Sequence, residues 1–391
     1  MSADFIKMVS EIHTERFQAH VQALARDKTP CGIFFGFVLV PADVAYHVQG
    51  LRSWGINLSC VIVLADVQAN ALKKFVDVPV ITLEDFPRFG EENFPAKPKE
   101  IFGINGLHDA AFVPFFARHG MEVLTHSDDG QFFFLMTHLP ELYSVHESLA
   151  DDESKKVFRA SIKGDITGKL GDYRFALEPQ YFLDGFTPAA GDIAIDGGAY
   201  DGATAIAFSK CGAKVFSFEM DETNYKNCAA RLERFGGFDI TLENLGLSDK
   251  EGTENYFSCG AGNSGSLKRP DGNLTANFID LDTYVARKNL PRVDYIKLDI
   301  EGAELDMLHG AAKTIIRCKP KMAICAYHKP EDLWTLATYI KSLRPDYEFE
   351  FRHYQIDCTD YILDDEERAL LNYFGLPYLL PTNCEKVLYC R

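Results

Sequence analysis

VDYIKLDIEGAELDMLHGA, Val293–Ala311, opens as an apolar strand, sets Lys297, Asp299 and Glu301 at alternating positions, turns at Gly302 and continues with helical spacing. On an extended strand the three charged side chains share one face, while Leu305, Leu308 and Ala312 point a following helix toward a core. Two carboxylates side by side at a strand end repel unless a cation, a donor or a shared proton lies between them. That is the kind of strain a functional site carries; the structural alternative has Lys297 pairing one carboxylate and Glu301 capping the helix. Outward from this unit the same alternation repeats. Asp192–Asp196, Lys214–Glu219, Ile240–Asn244, Val293–Asp299 and Lys321–Tyr327 read as strands, with Ala203–Lys210, Glu222–Phe235 and Ala303–Ile316 as helices between them. The order βαβαβ…βαβ predicts a doubly wound sheet, whose ligands lie at the C-terminal strand ends.

The notable polar residues fall at those ends. IAIDGGAYDG, Ile193–Gly202, is a near match to the dinucleotide loop G-x-G-x-x-G, with Ala199 where the second glycine belongs and Asp196 ahead of the turn. Beside a pyrophosphate, Asp196 adds repulsion and Ala199 narrows the approach. A ligand with a positive centre reverses the sign, and S-adenosylmethionine (SAM) carries a sulfonium and an ammonium beside one carboxylate. Gly198 and Gly202 let backbone approach such a ligand, and the helix start near Gly202 presents free N–H groups. Tyr200 either lies against the cofactor or packs the turn. Glu219 follows Asp196 by 23 residues, near the spacing of about 20 at which an acidic group reaches a ribose diol. Its alternative role is as a helix N-terminal carboxylate, with Asp221 and Glu222. Asn244 and Ser248, at and after the next strand end, complete the expected cofactor contacts with Met220 and Asp299. The small polar loop CGAGNSGS, Cys259–Ser266, offers Asn263 and Ser264 as contacts or is an ordinary connection.

The first part of the chain also alternates. GIFFGFVLV, CVIVLA, PVITL, EIFGING and MEVLT are apolar runs, and Ala42–Trp54 and His108–Arg118 have helical spacing. This predicts a smaller α/β Rossmann-like domain over residues 1–150, preceded by an amphipathic helix. Its first turn lacks a second glycine and contains Pro41, which supplies no N–H, so packing or partner contact is favoured over nucleotide binding. The polar stretch Glu147–Gly171, with DDESKK at 151–156, reads as solvated helix and connector at a domain boundary.

Composition narrows the classes. The chain has 391 residues and suits two domains. A net charge of −17 opposes attraction to nucleic acid or anionic lipid. The ten cysteines form neither a C-x-x-C pair nor a Cys/His cluster, so no zinc site or disulfide framework is expected. No long apolar run or h-region occurs, giving the expectation of a protein without membrane insertion, in the cytoplasm.

DGGAYDG, KVFSFEMDETNYKN, IDLDTY and DYIKLDIEGAELDMLHGA together resemble the FkbM family of SAM-dependent methyltransferases. Ile296, Lys297, Asp299, Glu301, Gly302, Glu304, Leu308, Gly310 and Ala311 match its last motif in place, and Ala199 matches its first. The resemblance runs from about Gln180 to Tyr354 and returns at Glu385–Cys390. It implies a class I methyltransferase fold over 151–391, SAM as methyl donor, and O-methylation, often of a sugar hydroxyl in a glycan or natural product. Met220 departs from the family's proline after the glutamate, and residues near 357–382 form an insertion outside the match. A general base aids methyl transfer to a hydroxyl; Asp299, Glu301 and His328 are its candidates, with His328 alternatively bonded to a neighbouring carboxylate. No divalent metal is required. The N-terminal domain leaves room for self-association or partner contact. A nicotinamide-dependent oxidoreductase and a non-catalytic SAM-binding module are the alternatives.

Overall fold

The computed structural model describes all residues except 37–40, 104–110, 125–128, 259–265, 269, 358–364 and 377–378. The loop carrying Asn263 and Ser264, and parts of the expected first turn, of His108–Arg118 and of the 357–382 segment, lie outside the described residues. The chain forms two compact units. One comprises Met1–Leu139, Lys156–Phe175 and His353–Asn383; the other comprises Pro140–Lys155, Ala176–Arg352 and Cys384–Arg391.

In the first unit, β1 (Pro30–Phe35), β2 (Asn57–Val63), β3 (Val80–Thr82), β4 (Glu100–Gly103) and β5 (Glu122–Leu124) form a parallel sheet of order β3-β2-β1-β4-β5. Side chains leave a strand on alternate faces. Ile33, Phe35, Val61 and Val63 therefore enter one core with Phe17, Val44 and Val48, while Phe34, Cys60 and Ile62 enter another with Phe112, Phe116 and Leu371. Burial on both faces is why these strands read as unbroken apolar runs. The N-terminal helix is two helices, Ala3–Glu15 and Phe17–Arg26, meeting at Arg16.

The polar stretch read as solvated is a 16-residue helix, Asp152–Thr167, with Val157, Phe158, Ile162 and Ile166 buried. The charges at 151–156 mask an apolar stripe that begins only at Val157. Later in this unit, Leu371 and Leu376, within the segment outside the family match, join the core of the first sheet.

The second unit is built on β6 (Ile193–Gly197), β7 (Lys214–Phe218) and β8 (Ile240–Glu243). A small sheet follows, made by β9 (Gly246–Leu247), β10 (Gly252–Ser258), β11 (Ser266–Lys268) and β12 (Leu274–Ile279). The chain then returns to the main sheet through β13 (Tyr295–Leu298), β14 (Lys321–Cys325) and β15 (Phe349–His353). Beyond the antiparallel pair β16 (Ile356–Asp357) and β17 (Leu379–Leu380), which belongs to the first unit, β18 (Lys386–Cys390) closes the main sheet, whose order is β15-β18-β14-β13-β6-β7-β8. β6 pairs in parallel with both β7 and β13, so strand order reverses at β6/β13 and opens a crevice at their C-terminal ends. β18 runs antiparallel to β14, which brings its N-terminal end to the same edge.

The helix Glu222–Phe235 has the expected bounds; Asp221 caps it by accepting from the N–H groups of Thr223 and Asn224. Of its expected inner face, Cys228 is buried but Phe235 is exposed. Ala303–Ile316 is two short helices, Glu304–Gly310 and Ala312–Cys318, with Met307, Leu308, Ala311 and Ile315 in the core, while Leu305 and Ala312 are only half-buried.

Candidate active site at the carboxyl ends of β6, β7, β13 and β14

The turn after β6 is determined by contacts to its neighbours. Gly198 has φ +81°, and a Cβ there would lie 1.8 Å from the Asp299 carbonyl oxygen; Gly202 has the same φ, and a Cβ there would meet Cys228 Sγ at 2.8 Å. Only glycine combines that backbone with that closeness. The N–H groups of Gly198 and Ala199 both donate to the Phe218 carbonyl at 3.0 and 2.9 Å, which ties the turn to β7. Ala199 is buried in it.

Asp196 has no accessible surface. Its carboxylate faces inward, accepting from Ser217 Oγ at 2.5 Å and lying 3.3 Å from Lys297 Nζ. Lys297 also donates to the carbonyls of Gly197 (3.1 Å) and Gly198 (2.7 Å). Burial acts to discharge this ammonium, but Asp196 and Asp299 outweigh it and raise its pKa. Strand alternation placed Lys297 with Asp299 and Glu301; the structure gives its closest carboxylate contact to Asp196.

Glu219, 7% exposed, joins two loops: Oε2 accepts the Tyr200 N–H and Oε1 the Asp221 N–H, each at 2.9 Å. Burial raises its pKa to about 7 against those two bonds. Tyr200 holds a left-handed backbone, φ +48°. Asn244 Nδ2 donates to the Glu219 carbonyl at 2.8 Å, bracing the same strand end. Met220 packs against Tyr256, Ala276 and Phe278 of the small sheet, so an apolar contact stands where the family pattern has proline. Ser248 is fully buried; its hydroxyl donates to Asp249 and its N–H to the Ile279 carbonyl, which places it in the support of the small sheet.

The second cluster surrounds Asp299. Its Oδ2 accepts from Tyr181 Oη at 3.0 Å, and its Oδ1 lies 3.4 Å from Tyr327 Oη and 3.5 Å from His328 Nε2. Burial acts to raise the Asp299 pKa; Lys297, His328 and the Tyr181 hydroxyl prevail and hold it below the ordinary carboxylate range. His328 Nε2 also lies 3.5 Å from Glu301, and its Nδ1 is 2.9 Å from Glu304, which is fully buried. Burial disfavours the imidazolium, yet these three carboxylates push the His328 pKa up to about 9. At neutral pH it is a cation among carboxylates and has no lone pair free to accept a proton.

Strand alternation and motif position therefore lead to Asp299, Glu301 and His328, which the fold brings together, and to Glu219, whose bonds run to the β6 turn. Several members of the site were not singled out in the sequence. Tyr181, Gln180 and Tyr327 carry no local pattern. Glu304 lies in the quoted motif, where helical spacing alone does not show that it faces His328. Glu385, beside β18, is reached by Gln180 Nε2 at 2.5 Å.

In the first unit, His20, Glu100 and Glu122 also come close enough to share a cation. Lys169 Nζ, 3.5 Å from Glu122, already supplies positive charge there. Among the described residues no helix is long and apolar enough to cross a membrane.

A doubly wound sheet with one antiparallel strand near its edge, and acidic groups at the switch point, defines the class I methyltransferase fold. Residues 196–357 match the family model described as the methyltransferase FkbM domain. The crystal structure of a methyltransferase FkbM from Methylobacillus flagellatus KT shares the fold over 99% of this chain and 98% of that one, with a TM-score of 0.66 and 20% identity. The 2-O-methyltransferase NoeI of Sinorhizobium fredii is 27% identical over 149 residues, 32% of this chain and 60% of that protein. The hexuronic acid methyltransferase AglP of Haloferax volcanii is 28% identical over 104 residues, 26% of this chain and 43% of that protein. The chain thus spans less than two thirds of the length of either curated relative.

Proposed function

We propose that this protein is a SAM-dependent O-methyltransferase whose acceptor is a hydroxyl of a sugar, a glycan or a similarly hydroxylated natural product. The observation that carries the reading is the gathering of Glu219, Asp299 and Glu301 at the strand ends beside β6/β13, the last two partly accessible and Glu219 nearly buried, with the cations Lys297 and His328 set behind and between them. This donor set fits SAM. Each oxygen of Glu219 holds one backbone N–H and retains acceptor capacity for a ribose hydroxyl. Asp299 and Glu301 suit an ammonium group and a nearby sulfonium. When bound, SAM supplies an electrophilic methyl carbon; the chain binds, orients and manages the proton. The names of the two relatives support the acceptor class. A cytoplasmic location belongs to the same proposal.

Calorimetric titration with SAM and NAD⁺, followed by methyl transfer to a panel of mono- and oligosaccharides, tests it. SAM is expected to bind and NAD⁺ not; absence of SAM binding overturns the reading. Glu219→Ala should weaken SAM binding by about 1.5–3 kcal/mol through lost charge-assisted bonds. Unchanged affinity in the same titration would remove Glu219 from the site. Asp299→Asn should lower turnover about a hundredfold. Its stability should change by less than about 1 kcal/mol, because Lys297 keeps Asp196 and His328 keeps Glu301 and Glu304. Urea unfolding beside single-turnover rates checks both halves.

A further inference from the structure

A hydroxyl acceptor must lose its proton, and the residues around Asp299 differ in their capacity to take it. His328 is already protonated at neutral pH. Glu304 is fully buried and out of reach of an acceptor. Asp299 is held ionised below the ordinary carboxylate range by Lys297 and His328, which makes it a weak base. Glu301 lies against the imidazolium.

Glu385 stands apart from these. The Ala326 N–H donates to the Lys386 carbonyl at 2.8 Å, which sets the start of β18 beside the end of β14. Glu385 is partly exposed there, with Gln180 Nε2 on Oε2 at 2.5 Å and Tyr327 Oη 3.5 Å from Oε1. The Tyr327 hydroxyl also faces Asp299, so one phenol spans both carboxylates. The groups facing Glu385 are Gln180 and Tyr181 before β6, Asp299 and Glu301 after β13, Cys325 at the end of β14, and Tyr327 and His328 after it. Its backbone is left-handed at φ +62°, as are those of Tyr181, Tyr200 and Glu301. These are four of the eight non-glycine residues of positive φ among the described residues. Such backbones persist where surrounding contacts over-determine them, and they concentrate at functional sites.

We propose that the Glu385 carboxylate, aimed by Gln180 and the Tyr327 hydroxyl, accepts the proton of the acceptor hydroxyl during methyl transfer; this rests on the function proposed above. The acceptor oxygen bonds to the methyl carbon as the carbon–sulfur bond breaks, the bonding pair stays on sulfur, and the hydroxyl proton passes to Glu385. A sulfonium, a hydroxyl and a carboxylate become a thioether, a methyl ether and a carboxylic acid, so charge and atoms balance. Neutralising Glu385 also relieves its repulsion with Asp299 and Glu301. Burial first, then Asp299, raises the Glu385 pKa to about 7, where a base is both available and strong enough at neutral pH.

The test compares wild type, Glu385→Gln and Gln180→Leu in three measurements: SAM affinity by calorimetry, single-turnover methyl transfer against pH, and infrared titration of carboxyl groups. Glu385→Gln should keep SAM affinity within about threefold, lose about a hundredfold in transfer rate and lose the acid limb of the profile. Gln180→Leu removes a bond that lowers the Glu385 pKa, so it should keep the base and move the acid limb to higher pH. Wild type should show three carboxyl signals titrating near neutral pH, from Glu219, Asp332 and Glu385; one of them should be shifted in Gln180→Leu and lost in Glu385→Gln, the other two remaining. If Glu385→Gln does not fold, the Gln180→Leu profile and infrared titration decide. Full transfer by Glu385→Gln, or an unmoved limb and signal in Gln180→Leu, overturns this role and leaves the methyltransferase reading intact. A wild type that binds SAM yet methylates no hydroxyl overturns both.

Discussion

Replacing Lys297 by methionine is expected to remove about 3–5 kcal/mol of folding stability, the usual consequence of deleting one partner of a buried ion pair. Asp196 has no accessible surface, so its charge cannot turn to water once the ammonium is gone. Ser217 would remain its hydrogen-bond donor, while the Gly198 carbonyl would lose the ammonium and the Gly197 carbonyl would keep only the Asp299 N–H. Methionine fills similar volume, so little of the loss would come from a cavity. Adding Asp196→Asn removes the orphaned charge and should restore part of the stability, a coupling that a double-mutant cycle measures in urea unfolding. A Lys297→Met protein within about 1 kcal/mol of wild type would show that the pair is not charged in the fold. Because Lys297 holds two carbonyls of the β6 turn, the variant should also bind SAM more weakly.

Stability should fall as pH rises from about 6.5 to about 9, and His328 is the main reason. Its folded-state pKa, about 9, lies above the ordinary 6.5. The native state therefore keeps a proton across this window that the unfolded chain has lost. The stabilisation is complete below about pH 6.5 and disappears as pH climbs through 9; on the order of 3 kcal/mol is at stake. Glu219, Asp332 and Glu385, all raised to about 7 chiefly by burial, add a decline of the same sign at lower pH, between 4.5 or 3.8 and 7. Urea unfolding of wild type and His328→Gln at several pH values separates them: the difference between the two curves isolates the imidazole. A wild-type curve flat from about pH 6.5 to 9 would show that His328 is neutral in the fold.

Much of this architecture is legible in the chain because a parallel sheet covered on both faces uses continuous apolar strands. The runs around Cys31, Cys60 and Ile81 are found where expected for that reason. Asp221 and the pair Gly236-Gly237 mark the ends of one helix at residue precision, since capping is local chemistry. The helix in Asp152–Thr167 is legible but its burial is not, because its first turns carry the charge and its apolar stripe starts later.

The sequence by itself determined the alternation of strands and helices, the glycine turn after β6, and the carboxylates at 219, 299 and 301, because each follows from local spacing or backbone need. Only the tertiary structure decided their partners. Asp196 faces Lys297 and Ser217 instead of the crevice because neighbouring parallel strands put those residues in register. Glu304 and His328 meet although they lie on separate βα units. Glu385 reaches Tyr327 from the far end of the chain because an antiparallel strand returns to the edge where the parallel strands end, and Tyr181 reaches Asp299 from the segment before β6. No periodicity records such meetings, since they depend on strand order across the sheet and not on spacing along the chain.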